Sequence, residues 1–350
     1  MYYVNPDIKE LYRVKFHDER RNFLRLDMNE NPEGLPYDFV EEVKKKITPE
    51  FLATYPEKDK VVSLLAECNG INKKNISITS GSDEAMRFIF QCFGEKGKVL
   101  LTVTPTFEMY DVYSKMFGME HKTVEYNPDF TLSFDNMISL INENTGIVIL
   151  LNPNSPIGAC WTENEAEIII KRAAENNAIV VIDEAYYYFY ESTFMPLINK
   201  YDNLLVIRTF SKLYSCAGLR IGYVSGNETL IHYIENAEST FNVNNVALLF
   251  AEELLKRPDI KEQLIKSEAE GREWLTEKLK KSGYNVFSHE GNYILFMPNK
   301  LSSYVVAELK KLGIWVRDYS RGFLKGWIRV STGSVDCMKK FYDNLLKVDI

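Results

Sequence analysis

The sequence predicts an α/β fold, a large domain with a mostly parallel sheet covered by helices on both faces and a smaller α+β domain after it. Three observations predict it. Short runs rich in Ile, Val and Leu alternate with amphipathic stretches from about residue 40 to about residue 235. These runs are continuously apolar, the pattern of strands buried on both faces. Beyond residue 235 the rhythm changes to long helices and then a short mixed pattern, which reads as a second lobe.

Residues 1–40 are polar, and Asn5-Pro6, Asn31-Pro32 and Leu35-Pro36 break any long helix there, so this arm is expected to lie on the small domain and on a partner subunit. Residues 41–240 form the expected large domain. Its strands are read at Ile76–Thr79, Val99–Val103, Ile147–Leu151, Ile179–Asp183, Leu204–Arg208 and Ile221–Ser225. Its helices include Asp83–Phe93, Glu108–Phe117 and Glu163–Asn176. Residues 241–350 form the expected small domain. Two helical stretches, Val246–Lys256 and Ile260–Ser282, are separated by Arg257-Pro258. Strands Tyr293–Met297, Ile314–Arg317 and Trp327–Ser331, helix Ser303–Leu312 and a last helix complete it. No repeat or flexible linker intervenes, so a wide interface between the lobes is expected.

Composition narrows the function. The net charge of −7 comes from well-mixed acidic and basic residues with no long basic tract, which argues against nucleic acid as a partner. The five cysteines are far apart and form no Cys-x-x-Cys pair, which fits reduced thiols in a cytoplasm. The four histidines show no metal-ligand spacing, so no metal is expected. The first residues lack a signal-peptide profile, and no apolar run approaches the length of a membrane span.

The chemistry-bearing residues gather just past the apolar runs, where open α/β sheets place their ligands. Gly81-Ser82-Asp83-Glu84 opens a helix after Ile76–Thr79 and offers either an anion site or a plain helix cap. Pro105-Thr106-Phe107 puts an aromatic at the same edge, to stack on a planar ligand or simply to pack. Asn152-Pro153-Asn154-Ser155-Pro156-Ile157-Gly158 makes a rigid polar turn. Asp183-Glu184-Ala185-Tyr186 ends a buried strand with a carboxylate, which is costly unless it is paired. Ser211, Lys212 and Arg220 follow Leu204–Arg208. A lysine there, partly desolvated, is a candidate Schiff-base nucleophile, and Ser211 with Arg220 could hold a phosphate. Taken singly, each has a bland structural reading. Together they supply a phosphate cradle, an aromatic plate, a carboxylate and a lysine, the inventory that holds pyridoxal 5′-phosphate.

On these residues the chain resembles the fold-type I aminotransferases of pyridoxal-phosphate chemistry, and more closely the histidinol-phosphate aminotransferase family. The resemblance also covers Leu26-Asp27-Met28-Asn29-Glu30-Asn31-Pro32, Tyr55-Pro56-Glu57, Phe241-Asn242-Val243-Asn244, Gly291-Asn292-Tyr293, Val316-Arg317-Asp318 and Ile328-Arg329-Val330-Ser331. It implies that Lys212 binds the cofactor aldehyde and shuttles the proton, that Asp183 keeps the pyridine nitrogen protonated, and that Tyr186 bonds the ring's phenolic oxygen. It further implies a phosphate site of Ser82, Asp83, Ser211 and Arg220. Tyr55 would reach a phosphate across a subunit boundary in a homodimer. Arg329 would bind the α-carboxylate, and Arg317, Tyr12 and Asn31 are implied substrate contacts.

Two positions depart from the family. Ser155 stands where Asn is usual, and Phe107 where Tyr is more common, so both touch the tuning of the cofactor. The implied activity is amino-group transfer between glutamate and a small phosphorylated carbonyl compound, with histidinol phosphate the default partner. Another phosphate ester, such as dihydroxyacetone phosphate in surface-polymer biosynthesis, and decarboxylation of a phospho-amino acid stay open. A non-catalytic pyridoxal-phosphate-binding regulator is the reading from a different class, but such proteins carry a DNA-binding module.

Overall fold

The computed structural model describes residues 2–9, 11 and 19–349. Among them the strands are β1 (Leu24–Leu26), β2 (Ile76–Thr79), β3 (Val99–Thr104), β4 (Glu120–Glu125), β5 (Thr145–Leu151) and β6 (Ile179–Asp183). They continue with β7 (Leu204–Thr209), β8 (Gly222–Gly226), β9 (Asn285–Phe287), β10 (Tyr293–Met297), β11 (Ile314–Asp318) and β12 (Ile328–Ser331).

Seven strands form one sheet in the order β2-β8-β7-β6-β5-β3-β4. From β7 to β4 every neighbouring pair is parallel. The central strands β5, β6 and β7 are buried almost throughout, as their unbroken Ile, Val and Leu runs require. Helices Ser82–Phe93 and Glu163–Glu175 add their apolar faces to the same core. A capping box starts the second of these, Thr162 and Glu165 each satisfying the other's backbone N–H.

Two features of this sheet differ from the sequence reading. Strand β8 runs antiparallel to both β7 and β2. Its link from β7 holds only the short 3-10 turn Ala217–Leu219, and a parallel return needs a longer crossover. Strand β4 was not expected at all. It is an edge strand, Glu-His-Lys-Thr-Val-Glu, with only Val124 buried, so it carries no apolar run to read.

A second sheet has the order β1-β11-β12-β10-β9. Strand β1, inside the arm where only the absence of a long helix was read, pairs in parallel with β11, and its Leu26 is fully buried in this sheet's core. Helix Pro258–Lys281 joins the two cores: Ile260 and Leu264 pack in the first, Leu275 and Leu279 in the second. Gly271 sits between them, where a Cβ would meet the carbonyl oxygen of Gly333 at 1.8 Å. Among the described residues no helix is long and apolar enough to cross a membrane.

Candidate active site

The ends of β2, β3, β5, β6 and β7 deliver five loops to one edge of the large sheet. After β2, Gly81 takes φ 78°, and helix Ser82–Phe93 begins with no side chain capping it. Its first N–H groups are therefore available to an anion. The Arg220 guanidinium packs against this turn so closely that a Cβ on Gly81 would meet Nη2 at 2.6 Å. Arg220 itself adopts φ 54°, a left-handed conformation that costs a β-carbon-bearing residue energy. Its Nη1 donates to Ser211 Oγ at 3.4 Å and its Nη2 lies 3.7 Å from Asp83 Oδ2. Asp83, Ser211 and Arg220 thus come together beside the helix that Ser82 opens.

Asp183, at the end of β6, is shut from water. Tyr110 donates to its Oδ2 at 2.8 Å, and the Ala185 N–H donates to its Oδ1 at 3.0 Å. Burial pushes its carboxyl up to about 6, against the pull of both donors and of Lys212. Lys212, after β7, donates from Nζ to the Met28 carbonyl at 2.8 Å and stands 5.5 Å from the Tyr186 ring centre.

A second cluster faces the lysine. Asn29 donates from Nδ2 to Tyr186 Oη at 2.8 Å and to Ser155 Oγ at 3.3 Å. It is locked from the small sheet: Ser331 Oγ accepts its backbone N–H at 2.8 Å, and Asn292 donates to its carbonyl at 3.1 Å. Arg329 donates from Nη1 to Ser155 Oγ at 3.0 Å and from Nη2 to the Asp27 carbonyl at 2.6 Å. Its buried Nε has no hydrogen-bond partner among the described residues. Arg317 stands directly opposite Arg329 in the β11–β12 register and is ion-paired with Glu108, beside Phe107. Phe107 is 42% exposed and meets Tyr110 edge to face at 5.5 Å.

Tyr55 and Asn31 lie away from this cluster. Tyr55 is 71% exposed on this chain, its ring stacked on Phe241 at 4.2 Å. Asn31 is held away by Ser215 Oγ at 2.7 Å and lines a separate cavity of about 240 Å³ with Glu268 and Asn292. Asn29, at φ 56°, is the asparagine of this motif that reaches Tyr186. Tyr12 lies outside the described residues. Asn154 ties two loops together, accepting from Thr106 Oγ1 at 2.7 Å and donating to the Pro105 carbonyl at 3.0 Å. It therefore cannot take over the position of Ser155.

Sequence reasoning missed Tyr110 and Asn29 as site residues. Tyr110 reads as one more apolar position of helix Met109–Met116. Asn29 lay inside a quoted motif but carried no signal of direction. Tyr319 was missed too; its half-buried phenol is pushed up, mostly by loss of hydration, with Arg329 and Arg317 among the charges near it.

The family model for aminotransferase class I and II matches residues 21–345. This chain belongs to the class I and II aminotransferases. A histidinol-phosphate aminotransferase of Clostridium novyi (strain NT) is 33% identical over 350 residues, covering 95% of this aminotransferase and 97% of that relative. One from Pyrococcus furiosus is 33% identical over 310 residues, covering 88% and 87%. Among solved structures, the Sinorhizobium meliloti histidinol-phosphate aminotransferase in complex with pyridoxal-5′-phosphate superposes with a TM-score of 0.87 at 22% identity, covering 99% of this chain and 98% of that one. An aspartate aminotransferase double mutant of Thermus thermophilus gives 0.83 at 20% identity, covering 99% and 100%.

This aminotransferase is a pyridoxal-phosphate-dependent transaminase, and its own residues fit that group. The uncapped helix start with Arg220 against Gly81 suits a phosphate. A buried carboxylate at the end of β6 suits a pyridinium, which would relieve its desolvation. Behind it, Arg208 and Glu184 form a fully buried pair at 2.7 Å, with Thr193 and the Phe194 N–H completing the network.

Proposed function

We propose that this aminotransferase moves an amino group between glutamate and a small phosphorylated carbonyl compound, histidinol phosphate with imidazole-acetol phosphate being the pair. One observation carries the phosphate-ester reading: Arg317 and Arg329 are register partners on adjacent strands at the mouth of the site. An α-carboxylate needs one guanidinium, so a second one suits a distal anion, which both a phosphate ester and the γ-carboxylate of glutamate supply in turn. The relatives named above carry the same activity in their names.

Bound pyridoxal phosphate supplies an electron sink for the charge left when the substrate Cα loses its proton. The chain does the rest. Ser82, Asp83 through its backbone N–H, Ser211 and Arg220 hold the phosphate. Asp183 keeps a proton on the ring nitrogen, steadied by Tyr110 and the Ala185 N–H. Tyr186, itself held by Asn29, donates to the phenolic oxygen. Phe107 would cover one face of the ring. Lys212 would hold the cofactor by its aldehyde carbon, and its amine would be the group that carries the substrate Cα proton. Arg329 orients the α-carboxylate; its Nε has no partner among the described residues.

The arm 1–40, large domain 41–240 and small domain 241–350 work as a homodimer in a cytoplasm, with Tyr55 serving the partner's phosphate site. The exposed stack of Tyr55 on Phe241 supports this reading. The deciding experiment is single-turnover spectroscopy of the cofactor with glutamate and with histidinol phosphate. Lys212→Ala should bind cofactor yet show no turnover with either. Wild-type reaction with glutamate but with no phosphorylated amine would replace the phosphate-ester reading by a plain amino-acid transaminase. Sedimentation of an active monomer would remove the dimer.

A further inference from the structure

An acidic side chain in the first turn of a helix often caps that helix itself, and so competes with any outside anion. In the capping box the third helical residue reaches back to the N–H of the residue before the helix. Helix Ser82–Phe93 carries Glu84 at that third position, with Gly81 before it. Here the Gly81 N–H is already taken, donating to the Thr79 carbonyl at 2.8 Å. The Glu84 carboxylate reaches one residue further back, and its Oε2 accepts the Ser80 N–H at 2.6 Å.

A second donor draws it the same way. Asn242 donates from Nδ2 to the same oxygen at 2.9 Å and to the Ile78 carbonyl, in β2, at 3.2 Å. That amide thus ties Glu84 to the strand that delivers the turn. Asn242 comes from 158 positions away, so no local propensity sets this arrangement. The Ser82 and Asp83 N–H groups donate to no described residue, although a carboxylate on the same turn would suit them.

The geometry points to Glu84 as a positioning residue for the cofactor phosphate, held back by Asn242 so that the Ser82 and Asp83 N–H groups stay open. It acts through the turn from Ser80 to Asp83, which it holds from behind. It also keeps its own negative charge off the anion site, where it would compete with the phosphate. This inference rests on the reading that this turn, with Arg220, holds that phosphate, and adds to it what keeps the turn ready.

The test is a fluorescence titration of the full-length chain, stripped of cofactor, with pyridoxal 5′-phosphate and with pyridoxal, which lacks the phosphate. Glu84→Leu removes the acceptor, so Kd for pyridoxal phosphate should rise roughly ten-fold, the size of a lost hydrogen bond to a charged group. Its Kd for pyridoxal should stay at the wild-type value. Glu84→Gln keeps an acceptor oxygen for both donors and should recover most of the loss. Asn242→Ala frees the carboxylate with its charge intact and should weaken pyridoxal phosphate at least as much as Glu84→Leu. Adding Glu84→Leu to Asn242→Ala should then cost nothing more. A Glu84→Leu chain that loses both ligands equally, or neither, overturns the inference, as does a Glu84→Gln chain as weak as Glu84→Leu. Arg220→Gln is the control: selective loss of pyridoxal phosphate there leaves the cradle standing whatever Glu84 does. Equal affinity changes for both ligands in Arg220→Gln overturn the cradle and this inference together.

Discussion

The phenol of Tyr110 donates a 2.8 Å hydrogen bond to Oδ2 of Asp183, and both groups are buried. This bond joins the helix after β3 to the end of β6, behind the aromatic plate of Phe107. It helps the carboxyl ionise where burial alone would keep it protonated.

Tyr110→Phe should therefore raise the Asp183 carboxyl further above its present value of about 6. Cofactor retention needs the carboxylate, so it is lost as pH falls through that value, and the variant should lose it at higher pH. A hydrogen bond to a charged group contributes roughly 1.5–3 kcal/mol, so cofactor Kd near neutral pH should rise about ten-fold or more. Fluorescence titration of the apoprotein with cofactor across pH checks this. A Kd profile that superposes on wild type would show that Tyr110 only packs.

Glu268 sets a pH dependence of stability at the join between the two cores. It is buried on helix Pro258–Lys281, and burial pushes its carboxyl up to about 7 despite Arg272 and the Thr332 hydroxyl. The unfolded carboxyl releases its proton near about 4.3. Between those values the folded chain binds more protons than the unfolded one, so stability falls as pH rises and levels off above about 7. Glu268→Gln should flatten that slope and melt higher than wild type near about pH 8. Melting curves across this range decide it; parallel slopes would refute the assignment.

The Arg208–Glu184 pair should be costly to break from one side. Arg208 donates to Glu184 from Nε at 2.8 Å and lies 3.5 Å over the Tyr187 ring, with both charges buried. Glu184→Ala leaves the guanidinium buried without its anion and should cost about 3–5 kcal/mol. Urea denaturation measures it; a loss under about 1 kcal/mol would mean that water reaches the pair.

Gly271→Ala tests the helix join. On an open helix this change gains about 1 kcal/mol from propensity. Here the new Cβ would lie 1.8 Å from the Gly333 carbonyl oxygen, a backbone atom that cannot rotate away. The clash should win, with a net loss of about 1–3 kcal/mol in chemical denaturation. A gain would show that the helix can slide over Gly333.

The sequence alone determined the layers of this protein and the edge where its chemistry sits. The buried strands are contiguous apolar runs, and Lys212, Asp183, Ser155 and Ser82 each follow one directly, so chain position carried them to one end of the sheet. Such signals are local. Strand β4 escaped because an edge strand needs no apolar run, and the direction of β8 because it depends on what the connection can span. The partners of the site residues escaped for a stronger reason. Tyr110 meets Asp183 73 positions away, Asn29 meets Tyr186 at 157, and Arg317 meets Glu108 at 209. No periodicity spans such separations. Only the packing of β1 into the small sheet, and of that sheet across the large one, decided that Asn29 rather than Asn31 faces the lysine, and that Arg317 already holds a carboxylate.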